Sequence, residues 1–350
     1  LFTGNEALAE RVKEDLEKFT TVFIAPNVRP FAESEDTGPA EETLSQVINK
    51  IRSDKLAGFN EIEKISGLPI IPTAAAEARI LRFQSLQTTP DQTVLGLNIG
   101  SDASHLITAN AGEMDTRVYR GLGIGKAAAE TLNRVGIESI LRWLPMDIPS
   151  SIVRDYMWQK SLFPSGIPMD EETLAIEQAA ARTILAEMRK TFPKFYEYAE
   201  SVFEPILLSG AVIAQAPYPR QSLMMVLDGI QPGGISTILT DRFGVLSSLG
   251  ACAAINPALV VQVMESGALT SLATVISPIF RAREGELVLV VRLQEEDNPE
   301  QEFEINQGEI VRIPLAIGKN AVVRLKPQKK MLTSPGLEKV PLLQVQLMKT

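Results

Sequence analysis

The residues best suited to chemistry lie in one short hairpin, where a buried apolar strand ends in a polar turn. A tight turn built from small residues exposes several backbone N–H groups on one side, and such a concavity binds phosphate oxygens. The hairpin is therefore a candidate phosphate loop, with a purely structural hairpin as the alternative. The candidate residues are Asn98, Gly100, Ser101, Asp102 and Ser104.

A second glycine-rich run follows at Gly121, Gly123 and Gly125 and leads into a helical pattern. A Walker loop would require glycine at Arg120, and the dinucleotide fingerprint would require its third glycine at Lys126. Both motifs are excluded. The spacing favours a sharp turn from a strand into a helix.

Other catalytic chemistries find little support. His105 is the single histidine, which removes most metal sites and would make a Ser-His-Asp triad depend on a residue inside the hairpin. No G-x-S-x-G elbow is present, and the carboxylates are scattered over predicted helix surfaces. We therefore name no catalytic residue and no metal ligand.

Several predicted elements must position the hairpin. Strand-like runs at Val94–Leu97, Ala103–Thr108 and Glu113–Tyr119, separated by turns, predict an antiparallel meander. Further on, a buried strand from Glu204 leads into a turn with glycine and then into a helix over Arg220–Ile230. An α/β fold follows from this order.

The flanking segments have their own patterns. Asn5 is a candidate helix cap, Val22–Ile24 has the pattern of a buried strand, and a helix is predicted from Gly38 to Ile51. Helical patterns dominate from residue 138 to 200. The last segment predicts a separate small all-β domain with strands at Leu287–Arg292, Glu302–Ile305, Ile310–Ile313, Val322–Leu325 and Leu342–Leu347.

Composition limits the classes of function. The 350 residues carry a formal charge of -9 with a pI near 5.0, so the chain has no basic footprint for nucleic acid or an anionic membrane. The longest apolar stretch, Gly244 to Met264, is interrupted by polar residues and proline, which argues against a bilayer span. With Cys252 as its single cysteine, the chain fits a reducing cytoplasm. Because it begins at Leu1 without Met or a signal peptide, we expect part of a longer protein.

Two motifs carry a family resemblance. The run Pro-Thr-Ala-Ala-Ala at residues 72–76, a spacer, and the strand ending at Asn98 resemble the linker helix and second phosphate loop of the actin-like ATPase (ASKHA) superfamily. That superfamily includes the seventy-kilodalton heat-shock chaperones and sugar kinases. Within it, the run from Leu207 to Pro278 is most similar to the MutL-type protein associated with glutamate mutase, which is distinct from mismatch-repair MutL.

The resemblance implies an architecture. Residues 1–89 would be the tail of a first actin-like lobe with the linker helix, and residues 90–280 a second lobe with a mixed five-stranded sheet of the ribonuclease H type. Residues 138–200 would be a helical insert in that lobe, and residues 281–350 the C-terminal β-domain.

The resemblance also implies a nucleotide site with eroded loops. The family pattern Asp-x-Gly-Gly-x-Thr-Thr-Asp begins at Asn98 and ends at His105 here, so both acids are gone, and a third is expected near Gly121. Neutral Asn98 does not supply the negative charge that holds Mg²⁺. ATP with Mg is the implied cofactor, and Ser209 to Ala211 would close over adenosine. The implied cofactor-binding residues are Asn98, Gly100, Ser101, Asp102, Ser104, Gly121, Gly123, Ser209, Gly210 and Ala211.

Because three acidic positions are lost, we expect a degenerate actin-like ATPase-fold protein. It would act as a scaffold or a nucleotide-responsive chaperone or reactivation factor for a partner enzyme, which the resemblance identifies as a cobalamin-dependent mutase. The alternative is an active switch protein that binds and hydrolyses ATP. A small-molecule kinase on this fold lacks a base, since Asp102 is the only acid in the loop. Homo-oligomer formation stays open.

Overall fold

The computed structural model describes residues 1–31, 39–40, 43–44, 47–48, 50–51, 58–67, 70–192, 202–295, 298–315, 320–330 and 343–348. Contacts divide the chain into two units, Leu1–Ala76 and Glu77–Thr350. The larger unit contains all the predicted site residues.

The first unit is a set of short elements. Asn5 caps the first helical turn as predicted, because its side chain accepts a hydrogen bond from the Ala7 N–H at 3.0 Å. Of the strand predicted at residues 22–24, a single parallel bridge between Phe2 and Ile24 forms. The described residues from 39 to 51 are helical, whereas the predicted start at Gly38 lies outside the described residues. The named elements are a 3-10 turn Glu6–Leu8, α1 Ala9–Leu16 and α2 Phe59–Ser66.

A mixed six-stranded sheet organises the second unit, with the order β3-β2-β1-β4-β5-β6. The first three strands form the predicted antiparallel meander, β4 and β5 run parallel to β1, and β6 runs antiparallel to β5. The predicted α/β class is confirmed, but the sheet has six strands where we expected five, because β6 adds to the outer edge of β5. The strands are β1 Gln92–Ile99, β2 Ala103–Asn110, β3 Glu113–Arg120, β4 Val202–Ser209, β5 Gly234–Thr240 and β6 Thr270–Ser277.

Helices cover both faces of this sheet. One face packs its apolar side chains, such as Leu95 and Leu97, against the helices between residues 128 and 230. The other face packs Val94 and Leu207 against the helix Thr73–Ser85 and the two apolar helices after β5. The helices are α3 Thr73–Ser85, α4 Ala128–Val135, α5 Ile137–Leu141, α6 Ser150–Leu162, α7 Glu171–Thr191, α8 Ala211–Ala214, α9 Pro219–Gly229, α10 Leu246–Cys252 and α11 Pro257–Glu265.

The predicted helical segment 138–200 corresponds to α5, α6 and α7, and its last residues, 193–200, lie outside the described residues. The proline-containing stretches 142–149 and 163–170 separate these helices, as expected from the inability of proline to continue a helix. Most of α7 is buried and belongs to the main core. The segment therefore supplies one layer of the fold.

The C-terminal segment forms an antiparallel sheet in the order β10-β9-β7-β8. Its core of Val288, Val291 and Leu325 also packs against Ile235 and Ile276 of the large sheet. Ile310–Ile313 does not form the predicted strand, since residues 309–315 run without regular structure. The strands are β7 Leu287–Glu295, β8 Gln301–Asn306, β9 Asn320–Pro327 and β10 Leu343–Met348.

Candidate functional site

A buried polar cluster lies where helix α3 crosses the end of strand β1. The Glu77 carboxylate accepts a hydrogen bond from the Asn98 side-chain amide, with Nδ2 2.8 Å from Oε1. His105 Nε2 lies 2.7 Å from the other oxygen, Oε2, and Ser209 Oγ lies 3.5 Å from Oε1. All four residues are buried. With the carboxylate ionised, this contact requires the proton on His105 Nε2, because an ionised carboxylate only accepts hydrogen bonds.

The spacing of the elements explains why these side chains meet. Asn98 and His105 are direct partners across the β1–β2 ladder, so both side chains point to the same face of the sheet. On that face the Leu81 side chain covers Gly96. Moving one turn back along α3, from Leu81 to Glu77, advances about 6 Å, which nearly matches the two-residue step from Gly96 to Asn98.

The two predicted turns come together at this point. Asn98 pairs with Ser209 in the parallel β1–β4 ladder, and Gly210 follows with φ +90°. A Cβ atom at Gly210 would lie 2.2 Å from the Ile99 carbonyl oxygen. Glycine is therefore required for the two strand ends to approach this closely. Ala211 then begins the short helix α8.

The second glycine-rich run packs against the first turn. The N–H groups of Gly121 and Ile124 donate to the carbonyl oxygens of Asp102 and Gly100 at 3.2 and 2.9 Å. A Cβ at Gly123 would lie 2.6 Å from the Ser101 carbonyl oxygen. The structure thus places Gly121 and Gly123 against the predicted phosphate loop, and these contacts stabilise its turn.

The residue after this run also binds the Ser101 hydroxyl, which accepts a hydrogen bond from the Lys126 N–H at 3.0 Å. Ser104 is fully buried, and its hydroxyl donates to the Leu122 carbonyl at 2.8 Å. Within the described part of the chain, the N–H groups of Ser101 and Asp102 donate to no protein group. These two exposed amides are what the turn can still offer to an anion.

A hollow of about 250 Å³ lies beyond the second turn, at the carboxyl end of β5. Thr240 lines the hollow, and its hydroxyl oxygen is buried without a hydrogen-bond partner in the described structure. Its volume is below the roughly 300 to 1,000 Å³ typical of small-molecule sites. The lining residues are Ala214, Ala216, Pro219, Ser222, Thr240, Arg242, Thr270, Ser271 and Leu272.

An open groove of about 440 Å³ follows the outer strand β3, lined by residues 116–120 together with Arg134 and Thr191. Its three guanidinium groups, those of Arg117, Arg120 and Arg134, form no ion pair with any described residue. Burial raises the pKa of the Tyr119 phenol beside this groove, so the phenol stays protonated.

Charge at the site does not suit a metal. Across the described ranges, no group of three or more His, Cys, Asp or Glu side chains converges on a point. At the strand end, the two positions where the resemblance implies acids present donors, Asn98 and His105, to a single carboxylate. These residues do not fit Mg²⁺, which binds through carboxylate oxygens and water. None of the described helices is long and apolar enough to cross a bilayer.

Glu77 is the residue that the sequence analysis missed. A signal was available, because Glu77, Ala78 and Leu81 occupy one face of an alanine-rich helix, and a carboxylate on a buried face requires a partner. The two donors were visible as replacements for acids. The sequence alone does not show how helix α3 is aligned on strand β1, and this alignment brings Glu77 to Asn98 and His105.

Comparison with family profiles agrees with the motifs. No curated protein matches the chain significantly. Among solved structures, a chain titled "PilM-PilN type IV pilus biogenesis complex" is similar, with 15% identity, 73% of this chain and 72% of that chain covered, and a TM-score of 0.33. The sequence profile described as "MutL protein" matches residues 1–267. The chain belongs to the MutL protein family, the one associated with glutamate mutase.

Proposed function

We propose that this protein is a pseudo-ATPase scaffold that binds a partner enzyme, a cobalamin-dependent mutase, and assists its assembly or reactivation. The association of the family with glutamate mutase supports the choice of a mutase as the partner. The lost catalytic charge supports the scaffold role. The chain keeps the rigid actin-like lobe, and its interface with the partner carries the function.

One observation carries the proposal, namely that Glu77 uses both carboxylate oxygens on Asn98 and His105. A metal-dependent ATPase needs carboxylates that face the nucleotide and hold its Mg²⁺ and water. Here the strand end presents an amide and an imidazole, and the one carboxylate that reaches them is buried and hydrogen-bonded. The cluster is satisfied within the protein and stabilises the junction of helix and sheet.

A second candidate is an ATP-responsive switch in which Glu77 itself replaces the missing acid. Its position within hydrogen-bond distance of Asn98 favours this alternative, as do the unused amides of Ser101 and Asp102. In this version the carboxylate would exchange its partners when a nucleotide arrives, and closure of the lobe would change the affinity for the mutase.

Calorimetric titration of Mg-ATP into the intact protein separates the two candidates. For the scaffold we expect no heat of binding and no turnover above the buffer rate, while the same preparation binds the mutase. The Glu77→Gln variant keeps the side-chain shape and serves as the control. Heat of binding in the wild-type protein that disappears in Glu77→Gln would establish the switch and reject the scaffold.

A further inference from the structure

The end of helix α6 and the loop that follows expose a dense group of large apolar side chains. Leu162, Phe163, Ile167 and Met169 are 72%, 70%, 74% and 84% exposed, and Trp158 one turn earlier is 49% exposed. Single apolar residues on a surface are ordinary, but five large apolar side chains exposed between residues 158 and 169 are unusual and indicate an interaction site. We call these five residues the apolar tip.

The apolar tip is held in place from beneath. The Lys160 side chain is buried, its ammonium lies 2.5 Å from Glu177 Oε1, and it also donates to the Gly166 carbonyl in the middle of the loop. The Tyr156 hydroxyl donates to the same Glu177 oxygen at 2.7 Å. The loop is therefore tied to helix α7 at its centre.

The two ends of the loop are fixed as well. At its start, the Gly166 N–H donates to the Phe163 carbonyl at 3.0 Å. At its end, the Asp170 carboxylate caps α7 by accepting from the Thr173 N–H at 2.8 Å, which lowers the pKa of that carboxyl. A partner that binds here does not have to order the loop, so little conformational entropy is lost on binding.

Charge around the apolar tip indicates what covers it. The exposed charged residues from 154 to 172 are one arginine and four carboxylates, because Lys160 is neutralised internally by Glu177. Carboxylates next to the apolar side chains disfavour an anionic membrane and disfavour a second copy that would oppose like charges. The complementary surface is an apolar groove with basic residues along its edges. The exposed charged residues are Arg154, Asp155, Asp170, Glu171 and Glu172.

We propose that the apolar tip is the surface by which this protein docks onto its partner enzyme, inserting Phe163 and Ile167 into an apolar groove with basic edges. The proposal rests on the proposed scaffold function and adds to it the surface and the chemistry of the partner. Buried aromatic and aliphatic anchors with a charged rim are the usual composition of the energetic centre of an interface.

The test measures binding of the full chain to immobilised glutamate mutase from the same genome. We expect Ile167→Asp and Phe163→Asp each to weaken the affinity by about 100-fold, as for residues at the centre of an interface. Ile310→Asp is the matched control, because Ile310 is 68% exposed but lies in the C-terminal segment. It should keep the affinity within about twofold. Circular dichroism checks that each variant is folded.

A second pair of measurements tests the exposed carboxylates near the apolar tip. Glu171→Lys together with Glu172→Lys should weaken binding about tenfold at about 50 mM salt and much less at about 500 mM, because salt screens exposed charges. An effect that is the same at both salt concentrations would contradict the proposed basic edges.

Each remaining outcome decides between the proposals. If the apolar-tip variants bind as the wild-type protein does, the docking surface is rejected and the scaffold function stands. If the wild-type chain does not bind the mutase, the scaffold proposal fails and the docking surface with it. If sedimentation shows a wild-type dimer that Ile167→Asp dissociates, the apolar tip serves self-association and the proposal is wrong.

Discussion

At the scale of single residues, the site is defined by which positions carry an acid and which carry hydrogen-bond donors. Two positions where the resemblance implies acids carry Asn98 and His105 here, and one acid, Glu77, comes from the helix above them. Burying a carboxylate is costly unless hydrogen bonds replace its water. The three side chains therefore depend on one another, and each would be unfavourable at its position alone.

This dependence predicts the effect of removing the carboxylate. Glu77→Ala leaves two buried donors without an acceptor, and we expect the free energy of unfolding to fall by about 3 kcal/mol, as for lost hydrogen bonds to a charged group. Urea unfolding measures the change. Glu265→Ala removes an exposed carboxylate and should change stability by less than about 0.5 kcal/mol. Equal effects of the two variants would show that the cluster does not stabilise the fold.

At the scale of elements, the position of the site depends on where two strand ends meet. The β1–β4 register places Asn98 beside Ser209, and Gly210 packs its backbone against Ile99. No side chain fits between them. We call the contact of Gly210 with Ile99 the juncture. It is made by the backbone and determines the positions of both turns.

A pair of glycine substitutions tests the juncture. Gly210→Ala forces a Cβ to 2.2 Å from the Ile99 oxygen at φ +90°. Gly244→Ala meets no atom within 4 Å at φ +65° and should cost only the left-handed backbone penalty of about 1 kcal/mol. We expect Gly210→Ala to lower the unfolding free energy by at least about 2 kcal/mol more than this, since a backbone clash adds to strain. Thermal or urea unfolding of both variants measures the difference, and similar losses would refute the tight approach.

The sequence predicted these elements unevenly. Strands β1 to β3 alternate with clear turn residues, and glycine marks both strand-to-helix turns, so local pattern was sufficient. Ile310–Ile313 has the composition of a strand but pairs with no described residue, and the strand predicted at residues 22–24 reduces to one bridge. Strand pairing depends on distant partners, which local composition does not specify. The Glu77 contact was missed for the same reason.

At the scale of the whole molecule, stability depends on how the central strands bury their few polar groups. Glu204 on β4 accepts a hydrogen bond from the Thr237 N–H of β5. Burial raises the pKa of its carboxyl above the ordinary value of 4.5, although the hydrogen bond acts in the opposite direction. The folded protein therefore holds this proton more tightly than the unfolded chain does.

The sign of the resulting pH dependence follows directly. Where the folded state binds more protons, stability falls as pH rises. The contribution of protonated Glu204 is fully present below its ordinary pKa of 4.5 and is lost as pH rises through the raised pKa. Glu204→Gln removes this loss, so the difference between its melting temperature and that of the wild-type protein should grow in its favour as the pH rises above 4.5.

Melting curves across that range measure the difference between the two proteins. Glu265→Gln, an exposed position, is the control and should run parallel to the wild-type protein. A constant offset between Glu204→Gln and the wild-type protein at all pH values would contradict the assignment of the titrating group.

The outer strand β3 has a consequence for behaviour in concentrated solution. Among the described strands, β3 pairs with β2 alone, and Arg117, Arg120 and Arg134 line the groove along its outer side without an ion-pair partner in that part of the chain. Charged side chains occupy four of the eight positions of β3, namely Glu113, Asp115, Arg117 and Arg120, and charged side chains on an edge strand oppose growth of a continuous intermolecular sheet. The charged border of β3 therefore disfavours fibril formation.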